Sequence, residues 1–145
     1  MSNIRRFKDF RWEQVDLLAY KEGGPYKDVT RQVLFEGKDT LPAQWRYFEV
    51  APGGHSTLEK HDHLHNVLIL RGSGQCMVGD EIADIKQNDL IHVPTATWHQ
   101  FRAAEDAPLG FLCLVSETRD KPQLPTEQDL NDLRQNPNVA NFIRT

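Results

Sequence analysis

Between residues 44 and 115 the chain is a succession of short apolar or alternating runs separated by Gly, Pro, Asn and Asp. That pattern predicts strands over 44–50, 56–61, 65–71, 75–78, 81–85, 89–93, 99–102 and 109–115, because alternate side chains of a strand face opposite sides of a sheet. Gly79-Asp80 predicts a tight hairpin turn, and Pro52-Gly53-Gly54, Gly72-Ser73-Gly74 and Ala107-Pro108 punctuate the rest. Upstream, Gly23-Gly24-Pro25-Tyr26 marks a loop before a further strand at 30–35. The first twenty residues are ambiguous between helix and strand. The expectation is an all-β sandwich or barrel.

The tail has a different pattern. Pro122-Gln123-Leu124-Pro125 forbids regular pairing, and Thr126-Glu127-Gln128-Asp129 resembles a capping box ahead of Leu130 and Leu133 at helical spacing. A short helix is expected there. Asn136-Pro137-Asn138 ends it and starts a final turn carrying Val139, Phe142 and Ile143, which need an apolar surface to cover. The organisation expected is one domain: an N-terminal arm with short strands over 1–43, a barrel core over 44–116, and a helical tail over 117–145 that packs on the barrel.

Composition narrows the partners. A chain of 145 residues with 39% hydrophobic and 26% charged residues suits one globular domain. No apolar run reaches membrane-spanning length, and Met1-Ser2-Asn3-Ile4-Arg5-Arg6 is not followed by the apolar core of a signal peptide, so a cytoplasmic protein is expected. A net charge of −4 with dispersed Arg and Lys argues against nucleic acid and for a small-molecule partner. Cys76 and Cys113 show no pairing pattern, and no disulfide is expected.

Five of the six histidines fall in two windows, 53–65 and 94–99. Neutral imidazole nitrogen is a ligand for divalent metals, and Glu59, His61, His63 and His65 would share one face of a strand. A metal site is therefore expected, although a histidine-rich hairpin can also be only a polar sheet face. His92 is opposite in parity to Ile91 and Val93 and reads as a half-exposed strand residue; His55, beside the Gly pair, reads as loop.

The spacing of the two windows resembles the cupin superfamily, whose first motif is G-x5-H-x-H-x3,4-E-x6-G and whose second is G-x5-P-x-G-x2-H-x3-N. From Gly53, five residues lead to Glu59, one more to His61, three to His65 and six to Gly72. Every spacer fits, with Glu and His exchanged between the first and third ligand positions. In the second motif Pro94 and His99 are retained, while Asn88, Ala96 and Ala103 replace Gly, Gly and Asn.

The resemblance spans roughly residues 46–115 and implies an antiparallel double-stranded β-helix, the jelly-roll or cupin barrel, enclosing one divalent transition metal. It implies Glu59, His61, His65 and His99 as ligands and puts His63 in a turn; an uninterrupted strand would instead give a triad of His61, His63 and His65. The set suits Fe, Mn, Ni, Cu or Zn. Arg31, Arg46, Tyr47, Trp98, Gln100 and Cys113 are candidates to line a substrate pocket, although packing or a surface ion pair is the commoner role for such residues in a β-barrel. Neighbouring strand residues face opposite sides, so only one of Arg46 and Tyr47 can point inward.

The leading functional expectation is a metal-dependent oxidoreductase of dioxygenase type acting on a small oxygen-bearing substrate. The alternatives are a metal-dependent lyase or isomerase, or a non-catalytic barrel that binds a carboxylate or sugar. A homodimer is also expected, because cupin barrels often pair through their sheets and Phe7, Phe10 and Trp12 give the arm more apolar surface than it should carry alone.

Overall fold

The structure is a computed structural model that describes residues 2–20 and 24–145; Gly23, in the loop marked by Gly23-Gly24-Pro25-Tyr26, lies outside the described residues. Among the described residues the chain forms ten strands and two short helices. Within residues 2–20 the regular structure is three two-residue strands and no helix. β1 (Phe7–Lys8) pairs with β2 (Arg11–Trp12), and β3 (Leu18–Ala19) pairs with β4 (Lys27–Phe35) on the barrel edge.

Four strands close the barrel. β5 (Ala43–His55) pairs with β10 (Leu109–Ser116), β10 with β6 (His65–Val78), β6 with β9 (His99–Ala103), and β9 returns to β5 through His55 and Arg102. β4 lines the outer edge of β5, while β7 (Glu81–Lys86) and β8 (Leu90–Val93) pair with the two halves of β6. Inward residues of this ring, among them Val50, Val67, Ile69, Phe101 and Phe111, form the main apolar core.

Two strand boundaries differ from the expectation for identifiable reasons. Gly72-Ser73-Gly74 does not break the chain: β6 runs straight through it, exchanging β8 and β10 for β7 and β9 as partners. Gly72 has φ +71°, and a Cβ there would collide with the Pro108 carbonyl oxygen, so the crossing strand needs a residue without one. Conversely, 56–61 is not a regular strand, since β5 continues to His55 and takes in the position read as loop. The segment then follows β9 through isolated bonds, Ser56 N–H to Phe101 O (2.8 Å) and a reciprocal pair between Glu59 and His99.

The tail forms helix α1 (Glu127–Leu133), with the expected capping box of Thr126 and Asp129, and a second helix α2 (Pro137–Phe142) capped by Asn136 rather than a single turn. A six-residue helix is unstable alone. Burial of Val139, Phe142 and Ile143 with Leu58 and Met77 of the barrel holds it, at on the order of 2 kcal/mol for each large side chain. Phe10 and Trp12 of the arm pack on Tyr47, with ring centroids 6.0 and 5.1 Å away, so part of the arm's apolar surface is covered within the chain. No helix of the described residues is long and apolar enough to cross a membrane.

Candidate metal centre

Three histidines meet at one end of the barrel. His65 is the first residue of β6, opposite Val93 and Val115; His99 is the first residue of β9; His61 lies just before the turn that leads into β6. One ligand atom from each can be chosen so that all lie within 4.8 Å of one another, and all three residues are buried.

Local hydrogen bonds set which nitrogen faces the centre. His61 Nδ1 donates to the His63 carbonyl (2.6 Å) and His99 Nδ1 to the Thr97 carbonyl (2.8 Å). A carbonyl only accepts, so the proton sits on Nδ1 and Nε2 keeps its lone pair. His65 Nδ1 contacts Cys113 Sγ at 3.0 Å, and its Nε2 is buried without a partner. Burial lowers the pKa of all three, His99 to about 4 and, with added repulsion from His99 and His61, His65 to about 2. All three are neutral at pH 7, which is the ligating form. An orphaned, neutral, buried Nε2 beside two other converging imidazoles fits a divalent ion, which would satisfy it.

His63 stands outside this cluster. Its Nδ1 bonds Asp120 Oδ1 at 2.6 Å, its backbone N–H bonds the same carboxylate, and its ring stacks on His61 at 3.7 Å. The Asp120 carboxylate, accepting from the backbone of Asp62 and His63 and from the His63 ring, is held well below the usual carboxylate range. Glu59 lines the same cavity, but its carboxylate is outside the three-histidine cluster.

The cavity beside the histidines has a volume of about 160 Å³. Its walls include Tyr20, Arg31, Arg46, Phe48, Cys113 and Arg119. Of the residues expected in a pocket, Arg31, Arg46 and Cys113 are in this lining. Tyr47, Trp98 and Gln100 do not line it, and parity is the reason. Tyr47 follows Arg46 on β5 and points to the opposite face, where its hydroxyl donates to Glu49 Oε2 at 2.8 Å under the N-terminal arm. Trp98 and Gln100 flank inward-facing His99 and point to the tail. Trp98 packs against the second core, and the Gln100 amide clasps Arg144 through Nε2 to Arg144 O (2.8 Å) and Arg144 N to Oε1 (2.9 Å). Tyr20, Arg119 and Asp120 were not singled out from sequence, since short edge strands and loops give no periodic signal. Burial, with Glu59 nearby, pushes the Tyr20 hydroxyl up to about 12.

A β-barrel with a three-histidine cluster at one end defines the class, and the chain belongs to the cupin superfamily: the cupin domain family matches residues 46–115. The chain is 57% identical over 136 residues to 1-methylthio-D-xylulose 5-phosphate methylsulfurylase of Rhodospirillum rubrum, covering 92% of this chain and 86% of that one. Two crystal structures are similar over nearly the whole length. A cupin 2 conserved barrel domain protein from Rhodopseudomonas palustris has a TM-score of 0.93 at 50% identity, covering 98% of this chain and 99% of that one. A cupin-2 domain from Rhodospirillum rubrum has a TM-score of 0.88 at 55% identity, covering 96% and 95%.

Proposed function

We propose that this chain is a metal-dependent enzyme that removes the methylthio group from a 1-methylthio-2-ketose 5-phosphate. The observation that carries this reading is the 57% identity, over 92% of the chain, to a methylsulfurylase named for that substrate. The cavity is compatible with the chemistry. In a 1-methylthio-2-ketose the sulfur-bearing carbon adjoins the carbonyl, so the C1–S bond can break with its electron pair left on C1 as an enolate. C1 then gains a proton to give the 1-deoxy ketose, and the methylthio group passes to a nucleophile, by class a thiolate, forming a disulfide. C1 is reduced and the thiolate sulfur oxidised, so the step balances.

His61, His65 and His99 would hold the ion, and we assign Glu59 as the anionic fourth donor. A bound divalent ion would supply Lewis acidity to the substrate carbonyl. The carbonyls of His63 and Thr97 keep the rings from turning, and the aromatic wall of Phe48, Phe101 and Phe111 excludes water from the carbanionic carbon. The site is assigned to a cytoplasmic protein, where phosphorylated sugars and thiols are both available.

The competing reading is an O2-dependent oxidation on the same ion. Incubating the metal-loaded protein with the methylthio ketose phosphate and a small thiol, under nitrogen and in air, separates the two. Release of 1-deoxy ketose phosphate and mixed disulfide at equal rates in both atmospheres supports the group transfer. Turnover only in air, with oxygen consumed, would establish the dioxygenase instead.

A further inference from the structure

The wall of the cavity beside the histidines is strongly cationic. Arg31 on β4 and Arg46 on β5 are diagonal neighbours on the inner face, since Arg31 lies opposite Phe48 and Val33 opposite Arg46. Arg119 enters from the loop after β10, and all three line the cavity. Their closeness shows in Arg119, whose pKa is lowered by burial and then by repulsion from Arg46, with Arg31 adding to it.

None of the three has a carboxylate partner among the described residues, where the ion pairs are Arg71 with Glu49 and His63 with Asp120. Arg46 spends one Nη2 bond on Cys113 Sγ (3.3 Å), and its Nε is buried without a partner, as is the Nε of Arg31. Arg119 is oriented by the Ser116 and Glu117 carbonyls and by Gln44. Among the described residues, three guanidiniums line the cavity with one carboxylate, Glu59. Buried N–H donors left open in a cationic wall are a receptor for an acceptor-only dianion, and guanidinium forks match phosphate oxygens.

We propose that Arg31, Arg46 and Arg119 form the phosphate-binding end of the cavity, so that a phosphate monoester is held there while the other end of the same molecule lies at the histidines. The assignment rests on the ketose-phosphate reading above and adds the residues that select the phosphate. It makes these arginines specificity-determining residues with no part in the bond-breaking step.

The test is direct binding, by calorimetry on the metal-loaded protein, of xylulose 5-phosphate and of xylulose, which carry no methylthio group. The wild type should bind the phosphate ester at least tenfold more tightly than the free sugar. Arg31→Gln and Arg46→Gln should each lose tenfold or more for the ester and leave xylulose unchanged, with Arg31→Lys in between. Metal content and circular dichroism confirm that each variant is folded and loaded. Arg31→Gln, which removes no hydrogen bond to Cys113 or a histidine among the described residues, decides if Arg46→Gln loses its metal. Equal affinity for ester and sugar, or ester binding unchanged in Arg31→Gln, overturns the assignment. Arginine-dependent ester binding without methylthio release would keep the phosphate site and sink the reaction; release with an unchanged KM in Arg31→Gln would do the reverse.

Discussion

His61 donates its Nδ1 proton to the carbonyl of His63 at 2.6 Å, and the two rings lie parallel with centroids 3.7 Å apart. The His63 carbonyl therefore fixes the orientation of the His61 ring. The His63 ring is itself fixed by Asp120 from the loop after β10, so a chain of contacts runs from a half-exposed carboxylate to an inward-facing imidazole. Such outer contacts fix ring orientation and tautomer at a metal site.

This arrangement separates the histidines by consequence. His61→Ala, His65→Ala and His99→Ala should each lose stoichiometric metal while keeping the circular dichroism of a β protein. His63→Ala should keep the metal with affinity weakened by about 10- to 100-fold, the usual effect of removing an outer contact. Glu59→Ala should bind more weakly than wild type through loss of the proposed anionic donor. Elemental analysis and competition with a chelator measure all five; full metal in His99→Ala would refute the centre.

The metal-free protein should lose stability as pH falls from about 6.5 towards 4. His65 and His99 have pKa values depressed in the folded state to about 2 and about 4, so below their unfolded value of about 6.5 the unfolded chain binds protons that the folded chain does not. The slope is about 1.4 kcal/mol per pH unit for each group, and above pH 7 it vanishes. Urea midpoints at pH 7.5, 6 and 5 give the slope. A flat profile would show that the two rings are not buried neutral.

Ala96 occupies a left-handed conformation, φ 53°, and its N–H donates to the His61 carbonyl at 2.8 Å. A Cβ in that region costs about 1–2 kcal/mol, partly offset by the extra freedom glycine gives the unfolded chain. Ala96→Gly should therefore stabilise by roughly 0.5 kcal/mol, and Ala96→Val should destabilise by more than about 1 kcal/mol. Thermal melts of the two variants should bracket the wild type, with Val below and Gly above.

We propose a homodimer built on the outer barrel face, where Phe35, Leu41, Trp45, Leu90 and Leu114 remain exposed and Leu114 lies directly opposite Trp45. Light scattering at micromolar concentration should give twice the 16.7 kDa chain mass, and Trp45→Lys should halve it. A wild-type mass of one chain would dismiss the dimer.

The barrel was legible because its ligand spacers and strand periods are local quantities. Gly53, Gly72, Pro94 and His99 keep the family spacing, and Asn88 and Ala96, which stand at glycine positions, both have positive φ (76° and 53°). The backbone demand survives although the glycine does not. Parity also placed Arg46 against Tyr47 as alternatives. The same parity at His99 turns Trp98 and Gln100 away from the cavity. What could not be read were contacts made by residues far apart in sequence. Asp120 reaches His63 across 57 positions, and Arg119 reaches the cavity from a loop. The strand over 56–61 failed for a related reason: alternation was present, but β5 had already taken the extended backbone as far as His55.

The continuous pairing of β6 has a kinetic consequence. Each half of that strand has a neighbour on both edges, so its amides should exchange with solvent only when the whole barrel opens. His65 is anchored to this slowest part of the molecule, while His61 sits beside a turn whose Asp62 and Leu64 are exposed and whose tether is a surface carboxylate. A bound ion would then leave by swinging out the His61 turn, a local fluctuation, and not by unfolding. Chelator-driven loss should be fast relative to global denaturation and should quicken in Asp120→Asn while the exchange of β6 stays unchanged.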